Sequence, residues 1–555
     1  MKRWTIRALN FLLTLTLLAT TGCSDDSAGQ DDAAVDAAPQ SDGGDAGTTA
    51  LSLELGELLT VDADASGLAQ ITLATPEGVE EFIVMVHSRA STVNSLRAYT
   101  AGMPQAKLGT PPASSDTMLR RWGCLSAGGQ VDLRDVVARL RDRPSARRPP
   151  GRRPPLPVPP PNPGELVSFE IGTSTGIVTV QSEVLLVSAS LVIAIDRDTD
   201  PTLELDATTL DEIATGFEDI VLPRERIFFG DESDVNDDGH VTLLFSPLVY
   251  ESGATAYVNP WDLITDPLVR PSNVAGNDQE LIYITPPQLL EPYMATPRAI
   301  LETVAHEFQH AIYFYRKYML NATVGEPESA YITEGLSALA QDLTGYQAGN
   351  FFVSMAALND INDVSVNDLV GSGGYYIYER DGALRGSGYL LLRYLYDQAG
   401  GDTVLPNGDI DVAGSPGIGW LRDFVDSPEL GVASIEAATG QTVAQAAADW
   451  YIAMMVDDRT DDQSQPLNTD PRYNYLPTAT DPLTDRTRGT SMFESFGTAH
   501  KTGPLVQEIT AADGGIRIGG VEYLHLVATS TDVTAVTIAA DPQDVDIGIV
   551  IFRIR

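Results

Sequence analysis

Residues 305–314 read AHEFQHAIYF: two histidines four apart, a glutamate directly after the first, and apolar residues around them. The stretch belongs to a longer helical pattern. Pro297 suits a first helical turn, and Ile300, Val304, Phe308, Ala311 and Tyr315 recur at helical spacing, so residues 297–318 are expected to form one amphipathic helix. On such a helix His306 and His310 lie one turn apart on one face, a spacing that lets two imidazole nitrogens converge on a single zinc ion. Glu307, turned about 100° around the axis, reaches a water at that ion without being a ligand. The chain has only six histidines in 555 residues, so a chance His-Glu-x-x-His is the weaker reading.

A tetrahedral catalytic zinc needs a third protein ligand. The extended motif HExxHxxGxxH is excluded, because its last two marked positions are Tyr313 and Arg316. Downstream, ESAYITEGLSALAQDL (328–343) is a second helical pattern in which Ile332, Leu336, Leu339 and Leu343 face a core and Glu334, Ser337 and Gln341 share another face. If the loop 319–329 returns the chain antiparallel, Glu334 approaches the histidine pair, ahead of Glu326, Glu328 and Asp342 as the third ligand. Gly335 beside it permits close helix packing.

HEFQH followed by ITEGLSALAQDL resembles the gluzincin pattern of two histidines and a glutamate, most closely that of the hyicolysin family of metallopeptidases. FFGDESDVNDDGHVTLLF (228–245), GATAYVNPWDL (253–263) and GSGYLLLRYLYDQAGGD (386–402) are similar to segments of that family, so the likeness covers roughly residues 166–460. It implies the zinc ligands His306, His310 and Glu334, the catalytic Glu307, and a protein or peptide substrate. Many gluzincins place an acidic residue four positions after the ligand glutamate. Here that position is Ala338, which leaves another carboxylate or a backbone carbonyl to orient the imidazole. Peptide hydrolysis also needs an oxyanion donor; Tyr389 is the first candidate, with Tyr375, Tyr376, Tyr378 and His500 as others.

A second cation is suggested by DVNDDGHVT (234–242), where Asp234, Asn236 and Asp238 alternate ahead of Gly239 as in the first half of a calcium-binding EF-hand loop. Phe245 occupies the position of the closing glutamate, so an Asp/Asn-rich turn without metal is the competing reading.

The N-terminus, MKRWTIRALNFLLTLTLLATTGC, has a basic start and an apolar stretch too short to span a bilayer comfortably, the pattern of an export signal. Its end resembles a bacterial lipobox with Thr20 in place of the usual leucine, which implies lipidation of Cys23 and attachment to a membrane, with the outer membrane or cell surface as the expected location. Only Cys124 then remains, so no intramolecular disulfide is expected. A net charge of −42 repels phosphate backbones and argues against nucleic acid as a partner.

Composition divides the chain into a signal peptide (1–23), a disordered acidic tether (24–50), an N-terminal β-rich accessory domain (51–140), a Pro/Arg-rich linker (141–165), a gluzincin-like zinc peptidase domain (166–466) and a C-terminal β-rich domain (467–555). The expected fold is therefore multi-domain α+β, with small β-sandwich domains flanking the peptidase domain. The expected function is that of an exported, lipid-anchored zinc endopeptidase; the rival is a cell-surface binding lipoprotein whose peptidase domain has decayed.

Overall fold

The structure is a computed structural model that describes residues 50–62, 68–74, 79–89, 96–102, 133–142, 159–321, 324–363, 381–508, 512–517, 520–528, 534–540 and 547–555. The expectations for Cys23, the acidic tether up to residue 49, Cys124, Tyr375, Tyr376 and Tyr378 lie outside the described residues. Within them the fold is mixed α+β with several sheets.

Short alternating segments open the chain as β1 (Leu58–Asp62), β2 (Leu68–Leu73), β3 (Glu80–Ser88) and β4 (Leu96–Gly102), followed by helix α1 (Leu133–Asp142). A six-stranded sheet comes next: β5 (Leu166–Thr173), β6 (Gly176–Val187), β7 (Leu191–Asp196), β8 (Val241–Phe245), β9 (Ala256–Val258) and β10 (Leu281–Ile284), in the order β5-β6-β7-β8-β10-β9. β8 lies parallel to both β7 and β10, and the other pairs are antiparallel. Parallel strands are covered on both faces and read as unbroken apolar runs rather than alternating ones. Every residue of LVIAID and VTLLF is indeed buried, Ile193, Leu243 and Ile282 facing the helical core and Ala194, Leu244 and Tyr283 a smaller core beneath β5. The crossover between β7 and β8 carries α2 (Ala207–Gly216) and α3 (Leu222–Phe229); α4 (Pro247–Glu251) follows β8.

The helices that carry the candidate site are α5 (Pro297–Phe314), α6 (Ala330–Thr344), α7 (Ala348–Asn359) and α8 (Asp381–Gln398); α9 (Pro416–Asp426), α10 (Val432–Thr439) and α11 (Val443–Val456) complete the layer. α5 starts where Thr296 accepts a hydrogen bond from Ala299 N at 3.3 Å, with Pro297 in the first turn. A π-helical segment, Tyr315–Leu320, carries it past the expected end at 318. The expected amphipathic face is not what the structure has: every residue from Ile300 to Phe314 is buried, because α2, α3, α6 and the strands β9 and β10 pack against α5.

The last segments are the two-residue pairs β11 (Ala479–Thr480) with β12 (Thr487–Arg488) and β13 (Ser495–Phe496) with β14 (Ala499–His500), then β15 (Val506–Glu508), β16 (Ala512–Arg517), β17 (Val521–Ala528), β18 (Thr534–Ala540) and β19 (Ile547–Arg553). β15 to β19 join the N-terminal strands in two sheets, β1-β19-β3-β17-β15 and β16-β4-β18-β2. Ile71 and Leu73 of one sheet pack on Phe82, Val84, Leu526 and Ile549 of the other. The sequence reading put these segments into two separate sandwiches; strand pairing makes them one. The reason is distance along the chain: Glu81 and His525, whose side chains meet across β3 and β17, are 444 residues apart, and no local pattern encodes such a partner. The outer face of the first sheet is buried too, since Ile83, Met85, Tyr523 and Phe552 enter the helical core and the Tyr523 hydroxyl donates to Tyr451 O at 2.8 Å.

Candidate metal centre

Contacts between α5 and α6 run in opposite directions along the two helices. His306 meets Gln341, His310 meets Ser337, and Tyr313 meets Glu328, so the pair is antiparallel, as the reversed loop requires. This register brings Glu334 against both histidines, with Oε2 at 3.2 Å from His306 Nε2 and Oε1 at 3.5 Å from His310 Nε2. Ligands at adjacent corners of a tetrahedron with arms of about 2.1 Å lie roughly 3.4 Å apart, so these separations suit one zinc-sized ion. Among the described residues, His306, His310 and Glu334 are the one group of three or more His, Cys, Asp or Glu side chains whose ligand atoms converge, all within 4.8 Å of one another.

The hydrogen-bond partners settle which imidazole nitrogen faces inward. Gln341 Nε2 donates to the Glu302 carbonyl at 3.2 Å, which turns its Oε1 toward His306 Nδ1 at 3.4 Å. The Ser337 hydroxyl donates to Gln309 Oε1 at 2.6 Å and therefore accepts from His310 Nδ1 at 3.1 Å. With Nδ1 so engaged, each ring presents its Nε2 to the centre. The groups that orient them are a serine and a glutamine, where the sequence reading called for a carboxylate or a backbone carbonyl. Both sit on the Glu334 face of α6, so the three-and-seven spacing from Glu334 already contained them.

Glu307 is fully buried, and neither of its carboxylate oxygens has a hydrogen-bond partner; His310 Nε2 has none either. Burying an unpaired carboxylate is costly unless a cation or a water-binding function repays it. These orphaned atoms, together with the two-nitrogen, one-carboxylate donor set, fit a zinc site.

Sequence reasoning missed Arg385. It is buried on α8, with Nη2 at 3.4 Å from Glu334 Oε2. Burial alone pushes the Glu334 carboxyl up, but Arg385, His310 and His306 together outweigh it and hold the group well below the usual carboxylate range. The arginine comes this close because α8 has no side chain in the way. A Cβ on Gly335 would lie 2.7 Å from the Gly388 carbonyl carbon, and one on Gly388 would lie 2.5 Å from Tyr331 O. The only local signal was the spaced pair Gly386 and Gly388 beside Arg385 in the sequence.

Tyr389 stands one turn beyond Arg385, but its hydroxyl donates to Asp342 Oδ2 at 2.9 Å, in a buried cluster that also holds Arg393. The structure does not bring it to the histidines. His500 lies in the exposed β13-β14 hairpin, with Nδ1 at 2.7 Å from Ser495 Oγ. In the other proposed cation loop, Asp234 accepts from Gly239 N at 3.3 Å, and Asp238 accepts from Asn236 Nδ2 at 2.8 Å and from His240 N at 2.7 Å. Left-handed backbone at Asp237 and Gly239 closes the turn.

No protein-family model matches this sequence, and no curated protein matches it.

Proposed function

We propose that the chain is a zinc-dependent endopeptidase. One observation carries the reading: Glu307, a buried carboxylate with both oxygens unpaired, stands one residue from His306 in a centre where two Nε2 atoms and Glu334 converge. Zinc bound by such a set polarises a carbonyl and acidifies water. His306, His310 and Glu334 hold the ion. Ser337 and Gln341 fix the ring tautomers, and Arg385 keeps the Glu334 carboxylate ionised and in place. Glu307 then accepts the proton of the attacking water and returns it to the leaving amine. Export and lipid attachment through Cys23 complete the proposal and rest on the N-terminal sequence.

The test compares the parent with Glu307→Gln. We expect one zinc per chain in both, casein hydrolysis by the parent, and a loss of at least about a thousandfold in the variant. A parent that holds no zinc, or a variant as active as the parent, overturns the reading.

A further inference from the structure

The loop at residues 231–240 ends the crossover from β7 to β8 and is rich in hard donors. Asp234, Asn236 and Asp238 alternate along it, and a cavity of about 160 Å³ opens against Asp231, Glu232, Asp234 and Gly239. Phe245 stands where an EF-hand has its closing glutamate, and it is fully buried in the helical core, so the local sequence supplies no last carboxylate. An Asp/Asn turn also holds itself together through its own hydrogen bonds, and by itself it identifies no ligand.

What points to one lies outside the loop. Glu280, just before β10, is buried, and its backbone carbonyl accepts from Thr242 N at 2.8 Å, which fixes it beside β8. Its side chain reaches the loop, with Oε1 accepting from Val235 N at 3.0 Å. The other oxygen, Oε2, has no hydrogen-bond partner, and the buried Ser233 hydroxyl beside Glu280 makes no hydrogen bond either. A buried carboxylate oxygen left unpaired is costly, and like charge makes it costlier: Asp234 stands close enough to repel both Glu280 and Asp238. The basic side chains at this cavity are already engaged. Arg226 Nε donates to Glu232 at 2.9 Å, and the ring nitrogens of His240 face Asp238 O at 2.5 Å and Ser188 O at 3.1 Å. With the histidine occupied, oxygen is the donor on offer, which suits calcium better than zinc.

We propose that Glu280 and the loop form a calcium site, in which Glu280 supplies from the start of β10 the carboxylate that position 245 lacks. Asp234, Asp238 and the Asn236 side-chain carbonyl are the loop's ligands, and water completes the shell. The carboxylates are not drawn together as His306, His310 and Glu334 are, so the ion closes the loop onto Glu280. It thereby ties the end of the crossover to β10, which runs parallel to β8 from the pair Leu281 and Thr242 onward. The inference is independent of the peptidase reading.

The test uses the full chain, freed of metal with a chelator, dialysed, and titrated with calcium chloride in a calorimeter and in thermal melts. We expect one calcium per chain with a Kd of roughly 0.1 to 1 mM and a melting temperature about 3 °C higher at saturation, with a much smaller shift in magnesium. Glu280→Gln keeps an acceptor for Val235 N but carries no charge. Its calcium affinity should fall at least about tenfold, while in chelator it should melt no lower than the parent, because an unpaired buried charge has gone. Asp234→Asn, at an exposed position, should also bind at least about tenfold more weakly, and it carries the test if Glu280→Gln does not fold. Calcium should slow hydrogen exchange in residues 231–240 of the parent and not of the variants. A parent that binds no calcium, an equal response to magnesium, or a folded variant that binds calcium as the parent does overturns the proposal. Zinc content and casein hydrolysis, measured on the same preparations, report on the other centre, so a failed peptidase reading and a failed calcium site give different results.

Discussion

Ser337 and Gln341 do for the two histidines what a carboxylate does in many metal sites, and they do it without adding negative charge to a buried place that already holds Glu307 and Glu334. Removing such an orienting partner typically weakens metal binding about 10- to 100-fold. Ser337→Ala should therefore raise the zinc dissociation constant roughly tenfold, measured by competition with a chromogenic chelator, while the fold stays intact. A second residue-scale effect concerns Asp262. Burial pushes its carboxyl from an ordinary 3.8 to about 8, partly offset by hydrogen bonds from Asn277 and Tyr283 and by Arg270. Between those two values the native state keeps a proton that the unfolded chain has lost, so this group lowers stability as pH rises from about 4 to about 8. Asp262→Asn cannot ionise and should melt higher than the parent at pH 8 by roughly 2 °C, with no gain at pH 4, in paired thermal scans. Equal differences at both pH values would rule out a titrating Asp262.

At the scale of elements, the site is a product of helix contacts so close that only glycine fits them. A Cβ on Gly386 would lie 1.8 Å from Val353 O and 2.8 Å from Ser354 N, both backbone atoms of α7 that have nowhere to move. Gly386→Ala should destabilise the protein by about 3 kcal/mol in denaturant unfolding, and it should weaken zinc binding as well, because α8 can then no longer bring Arg385 to Glu334. The legibility of the centre follows the same boundary. His306, Glu307 and His310 belong to one helix, and Glu334 shares a face with Ser337 and Gln341 on the next, so helical periodicity alone exposes them. Arg385 lies 51 positions beyond Glu334 and meets it through helix packing, which no periodicity encodes. The burial of α5 on every side escaped for the same reason: a helix reads as amphipathic when its own polar residues are counted, and here several of those residues are the buried site.

At the scale of the whole molecule, the sandwich is built from both ends of the chain and is fused to the helical layer through Ile83, Met85, Tyr523 and Phe552. Each end read correctly as β, but neither reading contained its partner strand. A chain shortened by residues 547–555 loses the strand that lies between β1 and β3 and exposes the buried faces of Ile549, Ile551 and Phe552's neighbours. We expect that truncation to abolish soluble folded protein, as judged by size exclusion and proteolysis, rather than to remove a dispensable domain. A truncated chain that retains a cooperative melt and binds zinc would show the sandwich to be separable.

The seating of Arg553 against Leu53 O, 500 residues away along the chain, sets a clock on maturation. A ribosome adding about 5 to 20 residues per second needs roughly 25 to 100 seconds to travel from one to the other. For most of that interval β3 has neither of its neighbouring strands, β17 and β19. The newborn chain is thus kept open by its own topology, awaiting β17 and β19 as a drawstring awaits its pull.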